Sequence, residues 1–142
     1  MKVVVKRVYE PAQRADGARV LVDRLWPRGI SKEKAALTSW MKPLAPSDVL
    51  RQWFHAHRAH WQAFRRYYLK ELAQHGAEAE LGKLYDLAHR RKQVTLLFAS
   101  KDEDRNNAVV LKELIEGMKK PPTGTGPSGA RVSRRRVAAR PA

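Results

Sequence analysis

The stretch 21-LVDRLWPRGI-30 carries Asp23, Arg24, Trp26 and Arg28 out of an apolar run and into a Pro-Arg-Gly turn. Arginine forks bind phosphate or carboxylate bidentately. An aspartate among guanidinium groups is held ionised, free to orient an arginine, hold a metal ion or take a proton. A second polar segment, Ser100 to Asn107, follows the run 94-VTLLFA-99 and supplies Lys101, Asp102, Asp104, Asn106 and Asn107. A helix starting near Asn107 would add backbone N–H donors suited to an anion. A third segment ends in Arg7, Tyr9 and Glu10.

Ligands of open parallel sheets sit outside the carboxyl ends of the strands. If the three segments are such ends, their polar groups converge. Asp23 and Asp102 are then the candidate catalytic carboxylates. Arg7, Tyr9, Arg24, Trp26, Arg28, Lys101, Asn106 and Asn107 are the candidate anion- and substrate-binding residues. Each has a structural alternative: Asp23 and Arg24 as a strand-end ion pair, Arg28-Gly29 as a plain turn, Asp102 or Asp104 as a helix cap. The functional reading rests on convergence.

The elements that must do the positioning are legible in outline. Residues 1–10 alternate Val3, Val5 and Val8 with basic residues and read as a strand ended by Pro11. Residues 18–24 read as a second strand, more continuously apolar and so buried on both faces. Asp16-Gly17 marks a turn between them. Ser31 caps a predicted helix over 32–40 and Ser47 another to about His55. Helical spacing of apolar residues predicts helices over 61–74, 77–91 and 107–118. Residues 94–100 form the clearest buried strand. The pattern predicts an α/β fold: a small, mainly parallel sheet of about three strands flanked by about five helices in one domain, 1–118. The first two strands pose a conflict. Their link is shorter than the dozen residues a parallel crossover usually needs, so length alone favours a hairpin.

The chain has 142 residues and no cysteine, which removes thiolate nucleophiles, thiolate zinc sites and disulfides. No cleavable leader pattern and no apolar run of roughly 18 residues is visible, so a cytoplasmic location without membrane contact is expected. Net charge is +15. Seven basic residues and no acids fall in 119–142, leaving +8 for the body. That excess suits phosphate-rich or acidic partners, and serves solubility equally well. Residues 119–142, rich in Pro, Gly, Ser and Arg, read as a disordered basic tail.

Other patterns are weaker. His55, His57 and His60 lack the i, i+4 spacing of the HExxH zinc helix. The aromatics Trp53, Phe54, Trp61, Phe64, Tyr67 and Tyr68 fit a core more readily than a base-stacking platform beside Arg51, Arg58, Arg65 and Arg66. No phosphate-binding glycine loop or nucleophile elbow is present, no cofactor is indicated, and no metal site is assigned.

The blocks KRVYEP (6–11), DGARVLVDRLWPRG (16–29), PSDVLRQWF (46–54), WQAFRRYYLKEL (61–72) and TLLFASKDEDRNNAVVL (95–111) resemble the YeaO-like branch of the DUF488 family. The resemblance spans residues 1 to about 118. It implies a small α/β fold and a cytoplasmic bacterial protein, without implying a particular reaction. It also implies that the first two strands are parallel, against the length argument. Relatives often carry His where this chain has Asn107, which leaves hydrogen bonding rather than acid–base work for that side chain.

Two functional classes follow. One is a phosphate- or nucleotide-binding domain, catalytic or not, using Arg7, Arg24, Arg28 and Lys101 for the anion and Asp23 as base or metal ligand. The other is a non-enzymatic nucleic-acid-binding module using the basic body and tail. A small interaction protein is a third, blander reading.

Overall fold

The computed structural model describes residues 1–122. The basic tail expected over 119–142 lies outside the described residues from 123 onward. Four parallel strands form one sheet in the order β1-β4-β2-β3. They are β1 (Val3–Arg7), β2 (Ala18–Leu21), β3 (Ser39–Trp40) and β4 (Val94–Phe98). Among the described residues five α-helices accompany them: α1 (Lys32–Ala35), α2 (Asp48–Ala56), α3 (Trp61–Leu72), α4 (His75–Arg90) and α5 (Asn107–Gly117). The expected α/β class and single domain hold. The strand count was one short.

The missing strand lies inside the segment expected to be one helix over 32–40. Ser31 does cap it, accepting from the Lys34 amide, but the helix lasts one turn. Ala36 adopts a left-handed conformation (φ 47°) and ends it. The chain then turns along the sheet edge, where Val20 pairs with Ser39 and Leu21 with Trp40.

β1 and β2 are parallel, as the resemblance implied, and the hairpin favoured by length is absent. They are not neighbours: β4, the last strand in sequence, lies between them. A five-residue strand is only about 17 Å long. The ten residues 8–17 reach about 33 Å when extended, enough to return beneath the sheet. Gly17 makes the entry into β2 possible. Its φ is +67°, and a Cβ there would stand 2.3 Å from the Gln93 carbonyl oxygen.

β4 reads VTLLF and all five residues are buried, because it is central and covered on both faces. On one face Val20, Val22, Leu96 and Phe98 join Leu50, Phe54, Phe64, Tyr68, Leu84, Leu111 and Ile115 from the long helices in the main core. The other face is thinner. Val8, Leu21 and Leu97 pack there against Trp26, Leu37 and Trp40. Beside them the 8–17 link buries an ion cluster. Asp16 bonds Lys6 Nζ at 3.0 Å and pairs with the Arg19 guanidinium, whose Nε donates to the Ala35 carbonyl at 2.9 Å. Thr95 joins by donating to the Asp16 carbonyl at 2.7 Å. One nitrogen of Arg19, Nη2, is buried without a hydrogen-bond partner among the described residues.

Candidate functional site

All four strands run the same way, so their carboxyl ends lie on one edge of the sheet. The polar groups there form three linked sets.

The first is built on Asp23, just past β2. Its carboxylate accepts from the Ala99 amide at 2.9 Å through Oδ2 and from Asn107 Nδ2 at 3.1 Å through Oδ1. The same Asn107 nitrogen donates to the Val22 carbonyl at 2.8 Å. Trp40 fixes the backbone by donating its indole N–H to the Asp23 carbonyl at 2.8 Å. Burial pushes the Asp23 carboxyl above its ordinary value, despite the Ala99 and Asn107 donors and the Arg51 charge. The carboxylate has room for about four hydrogen bonds, and two are made within the protein.

Beside it, from the middle of α3, lies Tyr68, whose buried hydroxyl donates to the Leu44 carbonyl. Burial, then the charges of Asp23 and Glu71, push that hydroxyl well above its ordinary value, while Asn107 acts in the opposite sense. Glu71 receives the Ser47 amide and hydroxyl at 2.8 and 2.6 Å, tying α3 to the start of α2. Two half-exposed guanidiniums flank the set. Arg24 donates to the Pro46 carbonyl at 3.3 Å and lies 3.8 Å from Asp48; Arg51 lies 3.5 Å from the same Asp48. Asp48 is itself well exposed, so these pairs are loose.

The second set closes the end of β1. Arg7 donates through Nε to the Ser100 carbonyl at 2.9 Å and through Nη2 to that of Ala99 at 3.1 Å. Its guanidinium carbon lies 5.0 Å from the centre of the Tyr9 ring. Tyr9 in turn donates to the Arg28 carbonyl at 2.9 Å. Ala99 thus joins the two sets, its amide on Asp23 and its carbonyl on Arg7. The Arg28 and Lys101 side chains are exposed, with no ion pair among the described residues. Trp26 faces away: its indole donates to the Ile30 carbonyl at 2.7 Å, and it packs edge-on against Trp40 at 5.4 Å.

The third set shapes the loop after β4. Asp102 Oδ1 accepts the amides of Asp104 and Arg105, both at 3.0 Å, and Oδ2 meets Arg58 at 3.2 Å. Burial is the largest single influence and raises its carboxyl, but those two amides and Arg58 together outweigh it and hold the group below its ordinary value. Neither Asp102 nor Asp104 caps α5. Asn106 does, accepting from the Val109 amide at 3.0 Å and donating to the Asp102 carbonyl at 2.9 Å.

The fold therefore gathers Asp23, Asn107 and Arg24 at one place and gives Arg7, Trp26, Asn106 and Asp102 well-defined structural contacts. No Asp23–Arg24 ion pair forms; Arg24 turns to Asp48. Sequence reasoning missed Arg51, Tyr68 and Trp40 as neighbours of Asp23. Among the described residues no cluster of three or more His, Asp or Glu is placed to hold a metal ion. Nor is any helix there long and apolar enough to cross a membrane.

Fold and site together define a parallel α/β domain with a largely buried carboxylate, held by Ala99 and Asn107, at the strand ends. The chain belongs to the DUF488 family, on its YeaO-like branch: the model of the inactive DUF488-N3 subclade matches residues 2–130. It is 44% identical to YeaO of Escherichia coli strain K12 over 118 residues, which is 83% of this chain and all of that protein. It is 41% identical to Rv3073c of Mycobacterium tuberculosis strain H37Rv over 116 residues, 82% of this chain and 95% of that protein. No solved structure matches the chain.

Proposed function

We propose that the strand-end cluster around Asp23 binds a small phosphorylated ligand that also offers hydroxyl or N–H donors, such as a nucleotide or sugar phosphate. The single observation that carries this is the pairing of chemistries around Asp23. A fixed carboxylate has acceptor capacity left over, and two half-exposed guanidiniums, Arg51 and the adjacent residue Arg24, are paired only with an exposed carboxylate, Asp48, Arg24 also making a long bond to the Pro46 carbonyl. The carboxylate takes the donors of the ligand, and Arg24 and Arg51 take its phosphate. Arg28 and Lys101, exposed on the same edge, extend the positive surround. Arg7 acts through position, since its guanidinium holds the carbonyls of Ala99 and Ser100.

The site holds its ligand without turning it over. Asn107 has no titratable proton to give or take, Asp102 is engaged in its own turn, and the matching subclade is described as inactive. A melting-temperature screen of nucleotides and sugar phosphates tests this. A ligand at 100 times its Kd adds about 2.7 kcal/mol of stability. A saturable rise in Tm is expected with at least one compound, lost in Asp23→Asn and in Arg24→Ala/Arg51→Ala. A flat response across the panel overturns the reading.

A further inference from the structure

A second cluster of cations and rings lies on helices α2 and α3. Between Asp48 and Glu71 the chain runs 22 residues without a carboxylate, yet carries Arg51, Arg58, Arg65, Arg66, Lys70 and three histidines. This stretch is α2, α3 and their junction. Its aromatics split into two populations. Phe54, Phe64 and Tyr68 are buried in the main core. His57, His60 and Tyr67 are exposed and form a connected group around Trp53, which is half-buried against that core. The His57 ring stacks on Trp53 at 4.9 Å and 17°, and Tyr67 stands edge-on to Trp53 at 5.8 Å and 89°. Tyr67 is 44% exposed, which leaves part of the ring open to solvent.

The cations are arranged around these rings. Arg66 lies 5.7 Å from the centre of the Tyr67 ring. It also lines an open groove of about 530 Å³ with Gln62, Arg65, Leu69 and Lys70. Arg51, Arg58 and Arg65 each face a carboxylate: Asp48, Asp102 and Glu113. Arg66 and Lys70 face none among the described residues.

We propose that this α2–α3 face is a docking surface for single-stranded nucleic acid. Unpaired bases stack on Tyr67 and on the Trp53–His57 pair, and the phosphates follow Arg66 and Lys70 along the groove. Sequence-tolerant binding of single strands uses this combination of exposed rings and a positive track. A duplex hides the flat faces of its bases, and an acidic peptide would need the cations but not the rings. The surface is independent of the strand-end site, so either can fail without the other.

Fluorescence anisotropy with a labelled mixed-sequence DNA strand of roughly 16 nucleotides, the upper end of a single binding site, tests the proposal on the full chain at low salt. The native protein binds. Tyr67→Ala weakens binding at least fivefold, while Tyr67→Phe, which keeps the ring, binds as the native protein does. Arg66→Ala/Lys70→Ala weakens it tenfold or more and flattens the dependence of log K on log salt by about 1.4, two phosphate contacts at about 0.7 each. Circular dichroism confirms that each variant is folded. The proposal is overturned if the native chain does not bind, or if all variants bind alike, which would assign binding to residues 123–142. It is equally overturned if a duplex or a poly-glutamate peptide competes as well as the single strand.

Discussion

One nitrogen of Asn107, the first residue of α5, serves two strand-end acceptors, the Val22 carbonyl and the Asp23 carboxylate. The helix and the second strand are thereby locked at the point where the candidate site opens. Replacing this amide should damage both stability and site. Asn107→Ala leaves a buried carbonyl and a largely buried carboxylate short of a donor, at about 1–3 kcal/mol. Chemical denaturation measures the loss, and ligand-induced stabilisation should disappear with it.

Asp23 and Asp16 should respond to pH in opposite ways. Burial raises the folded-state pKa of Asp23. A raised carboxyl favours the folded state most when protonated, so its contribution is present below the unfolded value of about 3.9 and is lost as pH rises through the folded value. As pH rises from the unfolded value of about 3.9 through the raised folded value, stability of the native protein should fall relative to Asp23→Asn. Paired denaturation curves across that range check the sign.

Asp16 behaves the other way. Burial opposes its ionisation, but the Gln13 amide, Lys6 and Arg19 outweigh that and hold the carboxyl low. Its stabilisation is complete above about pH 3.9 and fades as pH falls through the lowered folded value. Asp16→Asn at pH 7 leaves the Arg19 charge buried with its carboxylate partner gone, at about 3–5 kcal/mol. The gap between variant and native protein should narrow in acid.

Gly17→Ala should be among the most damaging single-methyl changes in the chain. The residue adopts φ +67°, and the new Cβ would meet the Gln93 carbonyl oxygen at 2.3 Å. Backbone strain alone is about 1–3 kcal/mol, before that clash is counted. A fall in Tm without a change in secondary structure by circular dichroism is the expected result.

Much of this architecture is legible because its signals are local. The run 94-VTLLFAS-100 announces a central strand, and Ser31 and Ser47 both cap helices as their positions suggest. What hides is set by distant partners. Nothing in Ala36 signals a left-handed residue, so the one-turn helix α1 reads as a longer one, and the edge strand at Trp40 exists only because Leu21 lies alongside. Tyr68 sits on the apolar stripe of α3 and reads as pure core, although its hydroxyl reaches the Leu44 carbonyl and feels the Asp23 charge. The 8–17 link reads as a hairpin because its length is visible, whereas the insertion of β4 between β1 and β2 is not.

The central claim, a ligand site at Asp23, is tested most directly by titrating isotope-labelled full-length protein with the best compound from the melting screen and following backbone amides by NMR. The account predicts saturable shifts centred on Asp23, Arg24, Ala99 and Asn107, abolished by Asp23→Asn. Shifts confined to other parts of the chain, or none at saturating ligand, would contradict it.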